Sequence, residues 1–319
     1  MPQGQVTTTQ QIDEAVGIYY NRVLLERALP ALVHDKFAQR VSIKRKAGKT
    51  IKWRRYSSLT PAKTPLSEGV PPPAQTLAKT DLLATVSQYG TYVAITDWLD
   101  YTIEDNVLNE TADLLGENFG ETHDELLRDV LCATASYYAC TGGSNGKTPT
   151  EFSETDITNA VIALLKGRAK MISEIVRPNP DTDIKAVRKA FWGIMHTDEI
   201  TALEACSGFI NTANYPGQQT VDENEWGAVK NTRWLITDKC KTVGSSPTVY
   251  HNLLMGKNAY GIVDIDGTMM KHIFKPFGSG GVSDPLDQQA TMGWKSTFTA
   301  RILNDAFILI LGATNKAGT

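Results

Sequence analysis

Apolar residues recur at three- and four-residue steps from Ile12 to Leu29: Ile12, Val16, Tyr19 and Val23 form one row, with Tyr20 and Leu24 beside it. That spacing predicts an amphipathic helix, and Pro30 discourages its extension. The period then shortens. Ser42–Lys46 and Thr50–Tyr56 flank Ala47 and Gly48, which predicts two short strands around a turn. In the second strand Ile51, Trp53 and Arg55 take one face, and Lys52, Arg54 and Tyr56 the other. Pro61, Pro65 and the triplet Pro71–Pro73 make the next stretch a stiff, extended return. Thr80–Thr96 then resumes β character, rich in Val, Tyr, Thr and Ile. Arg40–Tyr89 therefore reads as a long two-legged excursion with few residues able to form a core of their own.

The longest helical signal runs from Glu110 to Ala139, marked by a stripe of Phe119, His123, Leu126, Leu127, Val130, Leu131, Thr134 and Tyr138. Unbroken, it spans about 45 Å at 1.5 Å per residue, although Gly116 and Gly120 weaken its first half. Beyond it the pattern alternates. Ser153–Lys170 predicts a helix capped by Ser153 or Thr155, with Ile157, Val161, Leu164 and Leu165 inward. Ala190–His196 predicts a strand running into a helix at Thr197–Ala205, and Trp234–Thr237 a further strand. Leu253–Tyr260 reads as a brief helix and Gly261–Asp266 as a strand. At the end, Met292, Trp294, Ser296 and Phe298 alternate with smaller or polar residues, Asn304 and Asp305 interrupt, and Phe307–Leu311 is continuously apolar. That pattern predicts a closing antiparallel hairpin.

The chain has 319 residues, 41% hydrophobic and 21% charged, ordinary values for one or two globular domains. Its charge is sorted rather than unbalanced. Between Lys36 and Ser67 there are ten Lys or Arg and no acid, while between Asp97 and Asp129 there are eleven acids and one base, Arg128. The net charge is only −3. This sorting points to a basic flap that meets an acidic surface. Where that surface belongs to a neighbouring copy, the contact is heterologous and repeats into rings or shells. The flap side of such a contact is Lys44, Arg45, Lys46, Lys49, Lys52, Trp53, Arg54 and Arg55. The acidic side is Asp97, Asp100, Glu104, Asp105, Glu117, Glu121, Asp124 and Glu125.

Catalytic chemistry finds little support. Thr141–Lys147 approaches a phosphate-binding loop, but Thr141 stands at the first glycine position, Pro149 follows, and a helix is expected before it where a strand belongs. The Gly142, Ser144, Gly146 spacing of a nucleophile elbow meets the same objection. A helix-ending loop with Gly142 as left-handed cap is the favoured reading. None of the five histidines stands in a metal-binding spacing, and His196 with Asp198 and Glu199 reads better as a strand-to-helix turn. Asp264–Gly267 lacks the remaining ligands of a calcium loop. Cys132, Cys140, Cys206 and Cys240 read as free thiols. No cofactor and no metal is expected. Nor is a membrane span or a signal peptide, for want of an apolar run. The alternative to self-contact is nucleic-acid binding by the basic 36–67 segment, with Trp53 and Tyr56 stacking on bases; a pI near 6.0 weighs against it.

The order of parts carries a resemblance, together with Tyr89–Thr96 leading to the long helix, Gly256–Gly261, Asp284–Gln289, Gly293–Lys295 and Ile302–Asp305. The chain resembles the major capsid proteins of tailed bacteriophages, and more narrowly the family represented in N-four-like podophages. The resemblance implies an α+β fold of the Hong Kong ninety-seven type. Its parts would be a helical N-terminal arm (1–39), an extended β flap (40–89), a peripheral domain with a long spine helix (90–150), an α/β axial domain (151–289), and C-terminal strands returning to the peripheral domain (290–319). It also implies a structural, non-enzymatic subunit that forms hexamers and pentamers of an icosahedral head around double-stranded DNA. Its partners would be other copies of itself, a portal, scaffold and decoration proteins, and the packaged DNA. Its place would be the virion capsid, assembled in the bacterial cytoplasm. The cross-link between a flap lysine and a neighbour's asparagine, found in some relatives, is not carried over.

Overall fold

The computed structural model of the chain describes residues 32–66, 68–69, 71–102, 107–134, 136–142, 148–175, 185–215, 222, 224–245, 247–265, 270–280 and 284–315. The helix expected at 12–29 lies outside these residues. The helices are α1 (Asp97–Thr102), α2 (Val107–Leu131), α3 (Glu154–Lys166) and α4 (Ile200–Glu204). The strands begin with β1 (Gln39–Ile43), β2 (Thr50–Tyr56), β3 (Lys79–Thr85), β4 (Ser87–Thr96), β5 (Tyr137–Ala139), β6 (Ile172–Ile175), β7 (Lys185–His196) and β8 (Phe209–Asn211). They continue with β9 (Glu225–Val229), β10 (Thr232–Thr237), β11 (Lys241–Val243), β12 (Val249–Met255), β13 (Tyr260–Ile265), β14 (Lys271–Lys275), β15 (Gln289–Ile302) and β16 (Ile308–Thr314).

Among the described residues these strands build three sheets. One of five strands is organised around β15, which pairs with β4, β13 and β14 while β1 adds to β13. One of nine strands runs β5-β16-β12-β7-β10-β9-β8, with β11 and β6 at its sides. The third is the isolated ribbon β2–β3. Helix α2 lies on the inner face of the five-stranded sheet. Its three- and four-residue spacing brings Ala112, Leu115 and Phe119 onto Met292 and Trp294, with Phe119 edge-on to Trp294 at 5.2 Å. Its second half carries Leu127 and Leu131 into the core that joins the two large sheets. Helix α3, capped by the Ser153 side chain, buries Ile157, Ala160 and Leu164 against the nine-stranded sheet.

Four elements differ from the sequence reading. The strands flanking Ala47 and Gly48 both form but do not pair: β1 runs parallel to β13, and β2 pairs antiparallel with β3 on the far side of the 57–78 excursion. Lys46 and Gly48 take positive φ, 68° and 99°, which turns the chain from one sheet to the other. The long helix stops at Leu131 rather than Ala139. Beyond it Thr134 and Ser136 hydrogen-bond to Asp305, and Tyr137–Ala139 joins β16 as a parallel strand. Leu253–Met255 is strand, not helix, because β12 lies between β16 and β7 and is buried on both faces; such runs carry no alternation to distinguish them. The closing strands form no hairpin. β15 belongs to the five-stranded sheet and β16 to the nine-stranded one, with Leu303 and Asn304 tied to the Ala259 carbonyl at the crossing.

A candidate assembly surface

The ribbon β2–β3 keeps the alternation expected of it. Ile51 and Trp53 face the body and pack with Ile43, Val86 and Val263, and Trp53 lies over Gly261, where an added Cβ would stand 2.8 Å from the indole. Arg55 donates to the Leu303 carbonyl at 3.3 Å. On the other face Lys52 and Arg54 share Asp81 of β3, at 2.7 and 3.0 Å. Those two hydrogen-bonded cations hold the Asp81 carboxyl below the usual carboxylate range. Lys44, Arg45, Lys46 and Lys49 are exposed in the turn before β2. Lys44, Lys46 and Lys49 form no ion pair among the described residues.

Beyond Tyr56 the flap leaves the body. Every described residue from 57 to 80 is exposed, and its two legs are tied by a reciprocal pair of hydrogen bonds between Gln75 and the Thr60 backbone, at 3.0 and 2.9 Å. Leu59, Leu66 and Leu77 are 53%, 75% and 67% exposed. Sequence reasoning weighted the flap's charges and passed over these leucines. Their signal was isolated Leu in a proline-rich stretch that has no periodic partner.

The acidic set divides. Glu117 and Glu125 are exposed on α2, Glu121 holds Lys239 at 2.9 Å, and Glu125 lies 3.8 Å from Arg128. Asp97 begins α1, its Oδ1 accepting from the Trp98 amide, and Asp100 follows in the same helix. Glu104 and Asp105 lie outside the described residues. Asp124 departs from expectation. It is fully buried, and its carboxylate accepts from the amides of Val33 and His34 and from the His34 ring, so it is an internal anchor rather than a surface charge. None of the ion pairs among the described residues joins the flap to α2. The basic flap and the acidic helix thus present their charges separately.

A second open surface lies on the outer face of the five-stranded sheet. There a depression of about 610 Å³ is lined by Gly90, Tyr92, Ile273, Lys275, Gly293 and Lys295, among others.

Elsewhere the structure changes the grounds of two readings. Strand β5, not a helix, precedes the Thr141–Lys147 loop, so the sequence objection from context falls. The amides of Thr141 and Gly142 donate to Asp156 of α3, at 3.1 and 3.2 Å, which ties the start of the loop to that helix. Gly142 is left-handed at φ 61°, but it caps no helix; residues 143–147 lie outside the described ones. His196 accepts from the Asp198 amide through Nδ1 and so caps the short turn before α4. The four cysteines are free thiols. No helix among the described residues is long and apolar enough to cross a membrane.

No protein-family model and no curated protein sequence matches this chain. Solved structures do. The head structure of Helicobacter pylori bacteriophage KHP40 superposes with a TM-score of 0.68 at 9% identity, covering 89% of this chain and 88% of the other. The capsid of Ralstonia phage GP4 gives 0.66 at 14% identity, with 89% and 88% covered. The cyanophage Pam1 capsid gives 0.59 at 12% identity, with 93% and 94% covered. The α+β fold is therefore the Hong Kong ninety-seven-type fold of phage capsid subunits.

Proposed function

We propose that this chain is a major capsid subunit that assembles with copies of itself into hexamers and pentamers of an icosahedral phage head. The observation that carries the reading is the flap: a paired ribbon with an exposed, leucine-bearing tip, on a chain whose fold matches head subunits over about nine-tenths of its length. A projection without a core of its own gains stability by lying on another surface. Its unpaired cations, Lys44, Lys46 and Lys49, find counter-charges on the acidic 97–129 region of a neighbour. Single exposed pairs are worth about 0–1 kcal/mol, so the benefit comes from many weak contacts repeated over a shell, and weak contacts also let misplaced subunits dissociate.

In this reading residues 40–89 form the intersubunit flap, 90–150 with 290–319 the peripheral part, and 151–289 the axial part. The narrower placement in the N-four-like podophage family rests on the order of parts and the short motifs quoted for it. Double-stranded DNA lies non-specifically on the inner face, with a portal and scaffold or decoration proteins as further partners and the host cytoplasm as the place of assembly. The role is structural rather than enzymatic.

The nucleic-acid alternative loses one of its two aromatics, since Trp53 packs under the flap root against Gly261, and keeps only Tyr56 exposed. Negative-stain electron microscopy of the purified chain tests the choice. Rings or shells are expected, and they are lost in a Lys44→Glu, Lys46→Glu, Lys49→Glu variant that still folds by circular dichroism. Normal shells from that variant end the charge argument. A monomer that binds DNA with a steep salt dependence favours the alternative.

A further inference from the structure

The buried face of α2 carries ionisable groups that no assembly contact uses. Asp124 is inside, its Oδ1 accepting from the amides of Val33 and His34 at 2.8 and 2.7 Å and its Oδ2 lying 2.6 Å from His34 Nδ1. The Tyr260 hydroxyl of β13 donates to the His34 carbonyl. One carboxylate and one phenol thus fix the 32–38 segment to both the helix and the sheet. Beside Asp124 sits His123, only 1% exposed, its ring 4.1 Å from Phe298 of β15 and 5.8 Å from Phe119. Neither of its ring nitrogens has a hydrogen-bond partner, and His34 Nε2 is also without one.

An imidazolium at that position would be a charge between two aromatic rings with no acceptor. The charged groups that act on it are Asp35 of the 32–38 segment, Asp124 of its own helix and Arg40 of β1. Asp35 and Asp124 favour the proton and Arg40 opposes it, but burial outweighs both and holds His123 below the ordinary histidine range. Asp124 already accepts from three donors, and Asp35 Oδ2 accepts from Arg40 at 2.5 Å while its buried Oδ1 has no partner.

We propose that this knot is an acid-sensitive latch: a proton taken up by His123 releases helix α2 and the 32–38 segment from the five-stranded sheet. The sign follows from the site. The open state binds a proton near the ordinary histidine value of about 6.5 and the closed state only at lower pH, so closing weakens as pH falls below that value. The proposal does not depend on the capsid reading, because it concerns packing within one chain.

Amide hydrogen exchange between pH 7.5 and 5.5, corrected for intrinsic chemistry, tests it. Protection of 107–131 and 32–38 is expected to fall by up to about tenfold per pH unit below 6.5, while β7, β10 and β12 keep theirs. In His123→Phe that loss disappears. Equal protection at both ends of the range, or an unchanged loss in the variant, overturns the latch. If the variant fails to fold, exchange of the His123 ring C2 hydrogen in the unmodified chain decides. A midpoint well below 6.5 sustains the proposal and one at or above it ends it.

Discussion

The nine-stranded sheet and the flap are built from the same kinds of residue and treat them oppositely. In the sheet Trp192, Trp234, Phe191 and Met195 are completely buried, and the Trp234 indole N–H reaches Thr232 Oγ1 at 3.0 Å. In the flap Leu59, Leu66, Leu77 and Leu83 stand more than half exposed, and beyond the ribbon its two legs are tied by the Ser57 amide to the Ala78 carbonyl and across Thr60 and Gln75. One region is complete in a single copy of the chain. The other has apolar surface and charge left over, and that difference separates what folds the protein from what the protein offers to others. Folding energy resides in the sheet, so the two regions respond to substitution in different assays.

The largest effect is expected from Trp234→Ala. It empties a site edge-on to Phe152 at 5.2 Å and in contact with Gly193, and should cost about 3–5 kcal/mol, read from the urea midpoint. A loss below ~1 kcal/mol would mean that the sheet is not the folding core.

A second test uses acidity against the sheet's own buried carboxyl. Glu199, on the turn between β7 and α4, is 1% exposed, accepts from Asn252 of β12 and has one oxygen without a partner. Burial raises it to about 7. A raised carboxyl stabilises the fold when protonated, so its contribution is full below about 4.5 and is lost as pH rises through 7. Glu199→Gln should therefore flatten this component, on the order of 1–3 kcal/mol between pH 4.5 and 7.5; thermal melts of both chains across that range read the difference. The direction is opposite to that of His123.

A third test trims the flap. Replacing 57–78 by a short turn between the paired residues Tyr56 and Lys79 should shift stability by no more than about 0.5 kcal/mol, yet abolish shells under the electron microscope. A large fall in melting temperature would show that the tip is part of the core.

How much of this was legible in the sequence follows from how local each signal is. The Ser153 cap, the alternation of Thr50–Tyr56 and the Trp234 strand depend on neighbours in the chain, and they stand in the structure. The pairing of β1 with β13 and the separation of β15 from β16 depend on partners far away in sequence, and two strands around a turn look like a hairpin until the partners are known. Asp124 was misplaced for a related reason. Helical periodicity sets it beside Glu121 and Glu125, but the donors that bury it come from Val33 and His34, 91 and 90 residues away. The flap's charges were legible and its leucines were not, because an exposed Leu has no pattern of its own.

The smallest effect, and the sharpest on the comparison, is expected at Asp81. It holds Lys52 and Arg54 within the same ribbon, so it keeps two of the flap's cations occupied by their own chain. Exposed pairs of this kind add little to stability and are screened by salt, and Asp81→Asn should leave the melting temperature unchanged. Its consequence lies in association. With both cations released, assembly followed by light scattering should tolerate less acid on the partner surface and show a steeper dependence on sodium chloride than the unmodified chain. A salt dependence that does not change would mean that Lys52 and Arg54 serve the ribbon alone, which would leave Lys44, Lys46 and Lys49 to carry the charge contact and move the electrostatic part of the interface to the turn before β2.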